Sequence, residues 1–140
     1  MFKLGLEGKL YYGDAGNTAA TELKNAKDVT LNLESSEADV TTRANNGWRA
    51  TVAALKDASI EWEMIWDTAN AGFVAIKNAY FGGSAIALAI LDGEDGEGLD
   101  ADFAITSFSR SEPIEEAMTV SVTAKPTYSS RAPQWKEATP

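Results

Sequence analysis

The sequence predicts a mainly β domain, an antiparallel β-sandwich or partly open barrel with one flanking α-helix. Six or seven segments carry the apolar patterning of strands, and most of them alternate apolar and polar side chains. A single segment changes to the three- and four-residue spacing of a helix. We therefore expect residues 1–128 to form one β-domain. A flexible tail is expected over residues 129–140, which hold two Pro and few apolar residues.

A first strand is expected over residues 2–12, with a kink at Gly8. Its apolar side comprises Phe2, Leu4, Leu6, Leu10 and Tyr12. The next segment, residues 13–27, lacks periodicity and is predicted to be a loop, with at most a short helical turn near residues 21–24. Alternation resumes over residues 29–33, which predicts a second strand.

The segment after this strand, residues 34–46, is polar, carries charges of both signs and ends in turn residues. Because it is long for a connection within a compact domain, we expect a loop that is either mobile or functional. Residues 48–55 resume an apolar pattern that fits a short helix or a strand. Residues 60–66 alternate clearly and predict a strand whose core side includes Trp62 and Trp66.

The one predicted helix begins after Asp67 or Thr68, either of which can cap it, and ends at Gly82 and Gly83. Residues 84–91 form a continuous apolar run with Gly on both sides. This pattern predicts a strand covered on both faces, with the helix as one of the covers.

The acidic segment 92–100 concentrates oxygen ligands of the kind that Ca²⁺ prefers. Its spacing fits neither an EF-hand loop nor a Gly-rich calcium-binding repeat. A solvated hairpin tip is therefore the favoured interpretation, and no metal site is predicted.

Two alternating segments with a polar turn between them predict a long antiparallel hairpin over residues 98–128. On the first segment, apolar residues take one face while Asp100 and Asp102 take the other, wet face. The second segment, residues 118–125, alternates in the same way. The turn, residues 109–116, contains a Pro and a charge cluster, which neither a helix interior nor a central strand tolerates well.

The composition excludes several functional classes. The chain holds no Cys and no His, so disulfides, Ser–His and Cys–His catalysis and ordinary zinc sites are impossible. The net charge of −9 argues against a surface that grips nucleic acid, which needs clustered Lys and Arg. Residues 57–102, with ten acids and one base, carry this charge alone. The sequence shows no signal peptide or membrane-spanning run, so we expect synthesis in a reducing cytoplasm.

Paired carboxylates are the remaining candidates for catalysis. Glu61 with Glu63, and Asp100 with Asp102, lie two residues apart on strands, so each pair projects from one face at a separation of about 6.6 Å. Glycosidases use carboxylates at separations of this order. A working general acid needs burial or an adjacent charge in a cleft, whereas both pairs lie on the polar faces of ordinary amphipathic strands. A solvated acidic face is therefore favoured, and no catalytic residue is predicted.

Three stretches of the chain resemble a known family. They are ELKNAKDVTLNLESSEADVTTR (residues 22–43), NNGWRATVAALKDASIEWEMIWD (residues 45–67) and FAITSFSRSEPIEEAMTVSVTAKPTYS (residues 103–129). In order and spacing they resemble sequence segments of the major tail proteins of long-tailed phages, which are the subunits of the tail tube. The resemblance implies a β-sandwich with a flanking helix, assembly of copies into hexameric rings, and stacked rings through which DNA leaves the capsid.

The same resemblance implies partners and a location. The expected partners are further copies of the chain, together with tail-tip, terminator and tape-measure proteins, while DNA passes without specific binding and no membrane is involved. The expected location is the virion tail, after synthesis and assembly in the cytoplasm of the host bacterium. No cofactor is implied.

On this interpretation the acidic face lines the channel, because a negative lining repels phosphates. The predicted channel-lining residues are Glu61, Glu63, Asp100 and Asp102. The polar loop 34–46 is expected to reach the adjacent ring. The predicted contact residues between rings or subunits are Glu34, Glu37, Asp39, Thr41, Thr42, Arg43, Trp48 and Arg49.

Two alternatives remain open from the sequence. A stand-alone β-sandwich module would bind sugar or protein through Trp48, Trp62 or Trp66 and would stay monomeric. An enzyme acting through its carboxylate pairs would lose activity on substitution of Glu61 or Asp100. A structural tube subunit is the favoured interpretation.

Overall fold

The computed structural model describes residues 3–94 and 96–137. Its strands are β1 (Lys9–Asp14), β2 (Thr21–Glu22), β3 (Ala26–Asp39), β4 (Thr51–Ile65), β5 (Ile86–Leu91), β6 (Gly98–Ser111), β7 (Thr119–Pro126) and β8 (Gln134–Lys136). The α-helix is α1 (Ala71–Gly82), and single turns of 3-10 helix lie at Gly5–Glu7 and Arg43–Asn45. The strands form one antiparallel sheet in the order β2-β1-β5-β6-β7-β4-β3, and β8 pairs with β6 beside this path. The sheet curls into a partly open barrel, one of the two architectures that the sequence predicts.

Helix α1 packs on one face of the curled sheet, which we call the inner face. Phe73 and Ile76 of the helix are fully buried there, and the ring of Trp66 meets Phe73 edge-on with 4.8 Å between the centroids. Alternate strand residues complete this core, among them Ile60, Trp62, Met64, Leu99, Ala101, Phe103, Val120, Val122 and Ala124. The predicted inward faces of these strands are therefore confirmed.

The helix begins two or three residues later than predicted. Asn70 is the N-cap, and its Oδ1 accepts a hydrogen bond from the backbone N–H of Phe73 at 3.0 Å. Asp67, one of the two predicted caps beside Thr68, instead accepts a backbone N–H two residues further on and closes the preceding turn. The predicted end is confirmed, because Gly83 takes the left-handed conformation with φ of 64°.

The N-terminal region differs from the prediction in two places. Strand β1 begins at Lys9 because its neighbour β5 ends directly opposite, at Leu91. Leu4 and Leu6, predicted to be core residues, are exposed, and Phe2 lies outside the described residues. The helical turn predicted near residues 21–24 is wrong, since Thr21–Glu22 pairs with β1 as a short strand.

Strands β3 and β4 are longer than the sequence predicted. Strand β3 continues to Asp39, so the prediction of a loop over residues 34–46 is wrong for its first half. Strand β4 begins at Thr51, which resolves the choice between helix and strand in favour of a strand. The two strands pair antiparallel along this whole length, with two register shifts, one between Ala26 and Val29 and one between Ser35 and Glu37.

Strand β5 is buried on both faces, as predicted. Ile86 and Leu88 belong to the core beneath the helix. Ala87 and Ala89 belong to a second small cluster on the opposite face, where Ala19 covers them. The helix is thus one cover of this strand, and the segment between β1 and β2 supplies the other.

Residues 92–97 connect β5 to β6. At this turn the Glu97 N–H donates to Asp92 Oδ1 at 2.9 Å, and the Asp92 N–H donates to the Glu97 carbonyl at 3.0 Å. Within the described residues, no group of three or more Asp, Glu, His or Cys side chains could hold a metal ion.

Gly98 opens β6 at a point where the β5 backbone comes very close. A Cβ atom at this position would overlap the carbonyl oxygen of Ile90. We expect Gly98→Ala to lower the free energy of unfolding by roughly 3 kcal/mol or more, since the backbone pairing must shift. Gly5→Ala is the control, because no atom lies within 4 Å of its added Cβ. Urea titrations followed by Trp fluorescence test this, and equal midpoints for the two variants would contradict it.

Candidate functional site

A continuous polar surface covers the sheet on the side opposite the helix. We define the polar face as the exposed and half-exposed residues that point to this side from β3, β4, β7 and the distal half of β6. It consists of Thr30, Asn32, Ser59, Glu61, Glu63, Ser107, Ser109, Ser121, Thr123 and Lys125. Hydroxyl groups are the commonest side chains on it, and Glu34 and Asp57 at the start of the neighbouring ribbon point to the same side. This composition keeps the surface hydrated without a strong grip on any ligand.

Glu61 and Glu63 lie on the polar face, as their position in the sequence predicts. Glu61 is exposed and Glu63 is half-exposed. Lys27 approaches Glu63, with 4.0 Å between Nζ and Oε1. The two carboxylates face open solvent, and nothing about them suggests a general acid or base in a cleft.

Asp100 and Asp102 point to the same side of the sheet but are not solvated. Only 5% of Asp100 and 2% of Asp102 is exposed, because the chain after β7 crosses over them. The prediction that these two aspartates lie on a wet face is therefore wrong. The alternation of β6 correctly predicts their direction, but it carries no information about the distant segment that covers them.

The covering segment binds both aspartates through one arginine. Arg131 Nε lies 2.9 Å from Asp102 Oδ1, and Arg131 Nη1 lies 3.1 Å from Asp100 Oδ1. The Ser129 hydroxyl and the backbone N–H of Gly16 both donate to Asp102 Oδ2. We call these five residues the ion cluster. It joins the C-terminal segment, β6 and the turn after β1.

The C-terminal segment is not the flexible tail that the sequence predicted. Beyond the ion cluster, β8 pairs with the first residues of β6, and Trp135 Nε1 donates to Glu97 at 2.8 Å. Trp135 thus anchors this segment, although half of it remains exposed. Residues 138–140 of the predicted tail lie outside the described residues.

The ion cluster holds Asp102 in its charged form. Burial acts to raise the pKa of Asp102, but hydrogen bonds from Ser129, Arg131 and Gly16, together with the charge of Arg131, outweigh burial. The pKa therefore lies below its ordinary value of 3.8. A carboxylate held ionised by an arginine stabilises structure and is unsuited to act as a general acid at neutral pH.

A two-stranded ribbon projects beyond the sheet. We call residues 34–57 the arm, because here β3 and β4 pair only with each other. Its tip is a turn in which Asn46 and Gly47 both have positive φ, 54° and 81°. Asn-Gly is a turn signal, so this dipeptide marks a turn within the connection between β3 and β4, although it does not by itself reveal that the two strands pair.

The arm contains the eight predicted contact residues. Glu34, Glu37 and Asp39 lie on β3, and the others lie in the turn that follows: Thr41, Thr42, Arg43, Trp48 and Arg49. Every one of them is exposed. The structure therefore presents them on one projecting element, although as a hairpin and not as a loop.

Apolar side chains are exposed along the arm and at its root. Trp48 is 76% exposed and Leu55 is 79% exposed, while Leu33, Val40 and Val52 are about half exposed. An isolated two-stranded hairpin is at most marginally stable in water, so these side chains gain little by being on the arm alone. A surface of this kind is typical of a protein–protein contact.

Comparison with known families identifies the chain. The family model described as phage tail tube protein matches residues 9–127, which span β1 to the residue after β7. The chain belongs to the phage tail tube protein family. The resemblance stated from the sequence is thereby confirmed, and this tail tube protein is a structural component of a phage or phage-like particle.

Solved structures share the fold of this tail tube protein. The tail subunit of an empty gene transfer agent particle, solved with C6 symmetry, matches with a TM-score of 0.77 and 16% identity, over 96% of this chain and 98% of that chain. The SPP1 tail tube matches with a TM-score of 0.72 and 15% identity, over 89% and 75% of the respective chains. The baseplate of the anti-feeding prophage matches with a TM-score of 0.58 and 8% identity, over 94% and 93%. No curated protein matches the sequence significantly.

No helix among the described residues is long and apolar enough to cross a membrane.

The ion cluster makes an acid-sensitive contribution to the stability of the tail tube protein. Arg131→Met leaves two buried carboxylates without their cation, which we expect to cost roughly 3–5 kcal/mol at pH 7. Because the pKa of Asp102 is lowered in the folded wild type, the advantage of the wild type is complete above about pH 3.8. It is lost progressively as the pH falls from that value through the lower pKa that Asp102 has in the folded wild type, since Asp102 is then protonated in the wild type too.

Urea titrations at pH 7 and pH 3 measure this difference. Arg43→Met is the matched control, because Arg43 is exposed, makes no ion pair among the described residues and should contribute less than about 0.5 kcal/mol. A gap between Arg131→Met and wild type that is as large at pH 3 as at pH 7 would contradict the role assigned to the ion cluster.

Proposed function

We propose that this tail tube protein assembles into hexameric rings that stack into a tube, and that DNA passes through the central channel. The virion tail is its proposed location, after assembly in the bacterial cytoplasm. Tail-tip, terminator and tape-measure proteins are its proposed partners beyond further copies of itself. No catalytic step is part of this function.

The observation that carries the proposal is the exposed arm. A ribbon with apolar side chains exposed along its length is hard to explain in a protein that works alone. Contact with a neighbouring copy would cover those side chains and satisfy the free edges of the ribbon. The gene transfer agent tail, which shares this fold, has C6 symmetry, and this supports a hexameric ring for the present chain.

The edges of the sheet support closure into a ring. One edge is the long strand β3, and the other is β2, which has only two residues. An exposed strand edge is a template for pairing with another chain, and ring closure uses it without leaving a free end. We therefore propose that β3 pairs with or packs against the sheet of the adjacent subunit.

The polar face is the proposed channel lining. Hydroxyl groups are the commonest side chains on it, and it carries Glu61 and Glu63 where DNA would pass. Carboxylates repel the phosphate backbone, and scattered lysines are too few to hold it. Asp100 and Asp102 are not part of this proposal, because the C-terminal segment covers them.

The arm is the proposed contact between stacked rings. Glu34, Glu37 and Asp39 along β3 and Arg43 and Arg49 at the tip offer ionic contacts of both signs. Thr41, Thr42 and Trp48 add hydrogen-bonding and apolar groups at the same end.

Reversing one charge at the tip should separate stacking from folding. Arg43→Glu is expected to leave the unfolding midpoint unchanged, because Arg43 is exposed and makes no ion pair within the described residues. It should reduce tube length in negative-stain images several-fold while rings persist. Lys24→Glu is the control, since it makes the same charge change at an exposed site away from the arm. Tubes of wild-type length in Arg43→Glu would count against a role of the arm in stacking.

The channel lining predicts how tubes treat DNA. Wild-type tubes should not retain DNA, whereas tubes of the double variant Glu61→Lys, Glu63→Lys should retain it in a salt-dependent manner. Glu115→Lys, Glu116→Lys makes the same charge change on the turn between β6 and β7 and serves as the control. Co-sedimentation with linear DNA at two salt concentrations measures the difference. Equal retention by both double variants would show that the polar face does not line the path of the DNA.

A further inference from the structure

We infer that the tip of the arm of one copy docks at the root of the arm of a second copy, in a groove beside the C-terminal segment. The inference rests on the proposed assembly into a tube and adds to it the surface that receives the arm. It is argued from a groove and a pair of carboxylates at the root, and from two arginines and a tryptophan at the tip.

The root of the arm borders an open groove of about 560 Å³. Strand β7 ends at Pro126, and β8 continues beside β6 without pairing with β4, so a gap remains between β4 and the C-terminal segment. Its apolar lining includes Leu33, Ala58, Leu99, Pro126, Pro133 and Trp135. Leu33 is 54% exposed and Trp135 is 49% exposed, so the groove is available to an apolar side chain.

Two carboxylates face each other at this root. Glu34 and Asp57 are direct partners in the register of β3 and β4. Like charges directly opposite each other on adjacent strands are unfavourable. Neither residue makes an ion pair within 4.0 Å in the described part of the chain, although Lys56 and Lys125 also line the hollows beside them. A cation from outside would relieve this repulsion.

The tip of the arm has the complementary character. Residues 40–50 hold Arg43 and Arg49 and no acid, in a chain whose net charge is −9. Trp48 lies between the two arginines in the sequence. Its backbone N–H donates to the Asn45 carbonyl at 3.0 Å, and the Asn45 side-chain amide donates to the Trp48 carbonyl at 2.8 Å. Tryptophan and arginine are the residues most often found at the energetic centre of protein interfaces.

The tip cannot fill the groove of its own chain, so the occupant that we assign to the groove is the tip of another copy. Tip and root lie at opposite ends of the arm, which is about 20 Å long for the six β3 residues from Glu34 to Asp39. A paired ribbon of this length cannot bend back on itself without losing its ladder of hydrogen bonds. A tip-to-root contact joins two different surfaces, so it can repeat from copy to copy without closing when the two copies belong to successive rings. Repetition of that kind is what stacking of rings requires.

Cross-linking tests the contact, because the chain has no native cysteine. In Ala44→Cys, Ser35→Cys, one thiol lies at the tip and the other at the groove, and both positions are exposed. A short bismaleimide added to assembled tubes should give a ladder of covalent multimers that extends beyond the hexamer. The control Ala44→Cys, Ser109→Cys carries its second thiol on the polar face and should give no ladder. Tubes without a ladder from the first variant, or a ladder that stops at six chains, would overturn the inference.

Charge exchange gives an independent test. The tip variant Arg43→Glu, Arg49→Glu and the root variant Glu34→Arg, Asp57→Arg should each reduce tube yield at least tenfold. A chain that carries all four substitutions should recover most of the wild-type yield, since the charges again match. A fourfold variant no better than either double variant would overturn the inference while leaving the proposed function intact. Wild-type protein that forms no rings or tubes would instead overturn the proposed function.

Discussion

Burial of the α1 side chains Phe73 and Ile76 against the inner face of the sheet is the contact on which the rest of the structure depends. Each such side chain contributes about 1.5–3 kcal/mol when fully buried, and the strand residues that meet them are themselves fully buried. Helix α1 is the only α-helix among the described residues, so the opposite face of the sheet must remain compatible with water wherever the segment between β1 and β2 and the C-terminal segment do not cover it. The polar face follows from this division.

Strand β4 shows how far that core extends. From Ala58 to Ile65 its alternate residues are buried beneath the helix, but from Thr51 to Asp57 both sides of the strand are exposed. Residues 58–65 of β4 therefore belong to the core, and residues 51–57 belong to the arm. Because the arm has no third strand and no helix behind it, its order within an assembly would come from neighbouring copies. This is the physical reason to treat the arm as an interface.

The ion cluster covers the start of β6 on the side of the sheet opposite the helix. Asp100 and Asp102 of β6 are buried in ion pairs with Arg131, and these ion pairs hold the chain after β7 against the sheet. One consequence is that the polar face is less acidic than the sequence suggests. Another is that the groove at the root of the arm has a wall, since β8 and Trp135 are held in place beside it.

The sequence by itself determined the class of fold, the helix and its end at Gly83, the doubly buried β5, and the faces on which Glu61 and Glu63 lie. These features depend on spacing along a few neighbouring residues, and local patterning encodes such spacing. The sequence also showed the family resemblance, through the order of three segments along the chain. Only the tertiary structure decided the burial of Asp100 and Asp102, because Arg131, which pairs with both, lies about thirty residues away.

The arm was missed for a related reason. Residues 34–39 have neither apolar alternation nor strong strand propensity, and they are strand because residues 51–57 lie beside them. Pairing between segments is a property of two stretches brought together, so the pattern within one stretch cannot establish it. Local periodicity therefore encodes which way a side chain points, whereas only the folded chain decides what covers that side chain.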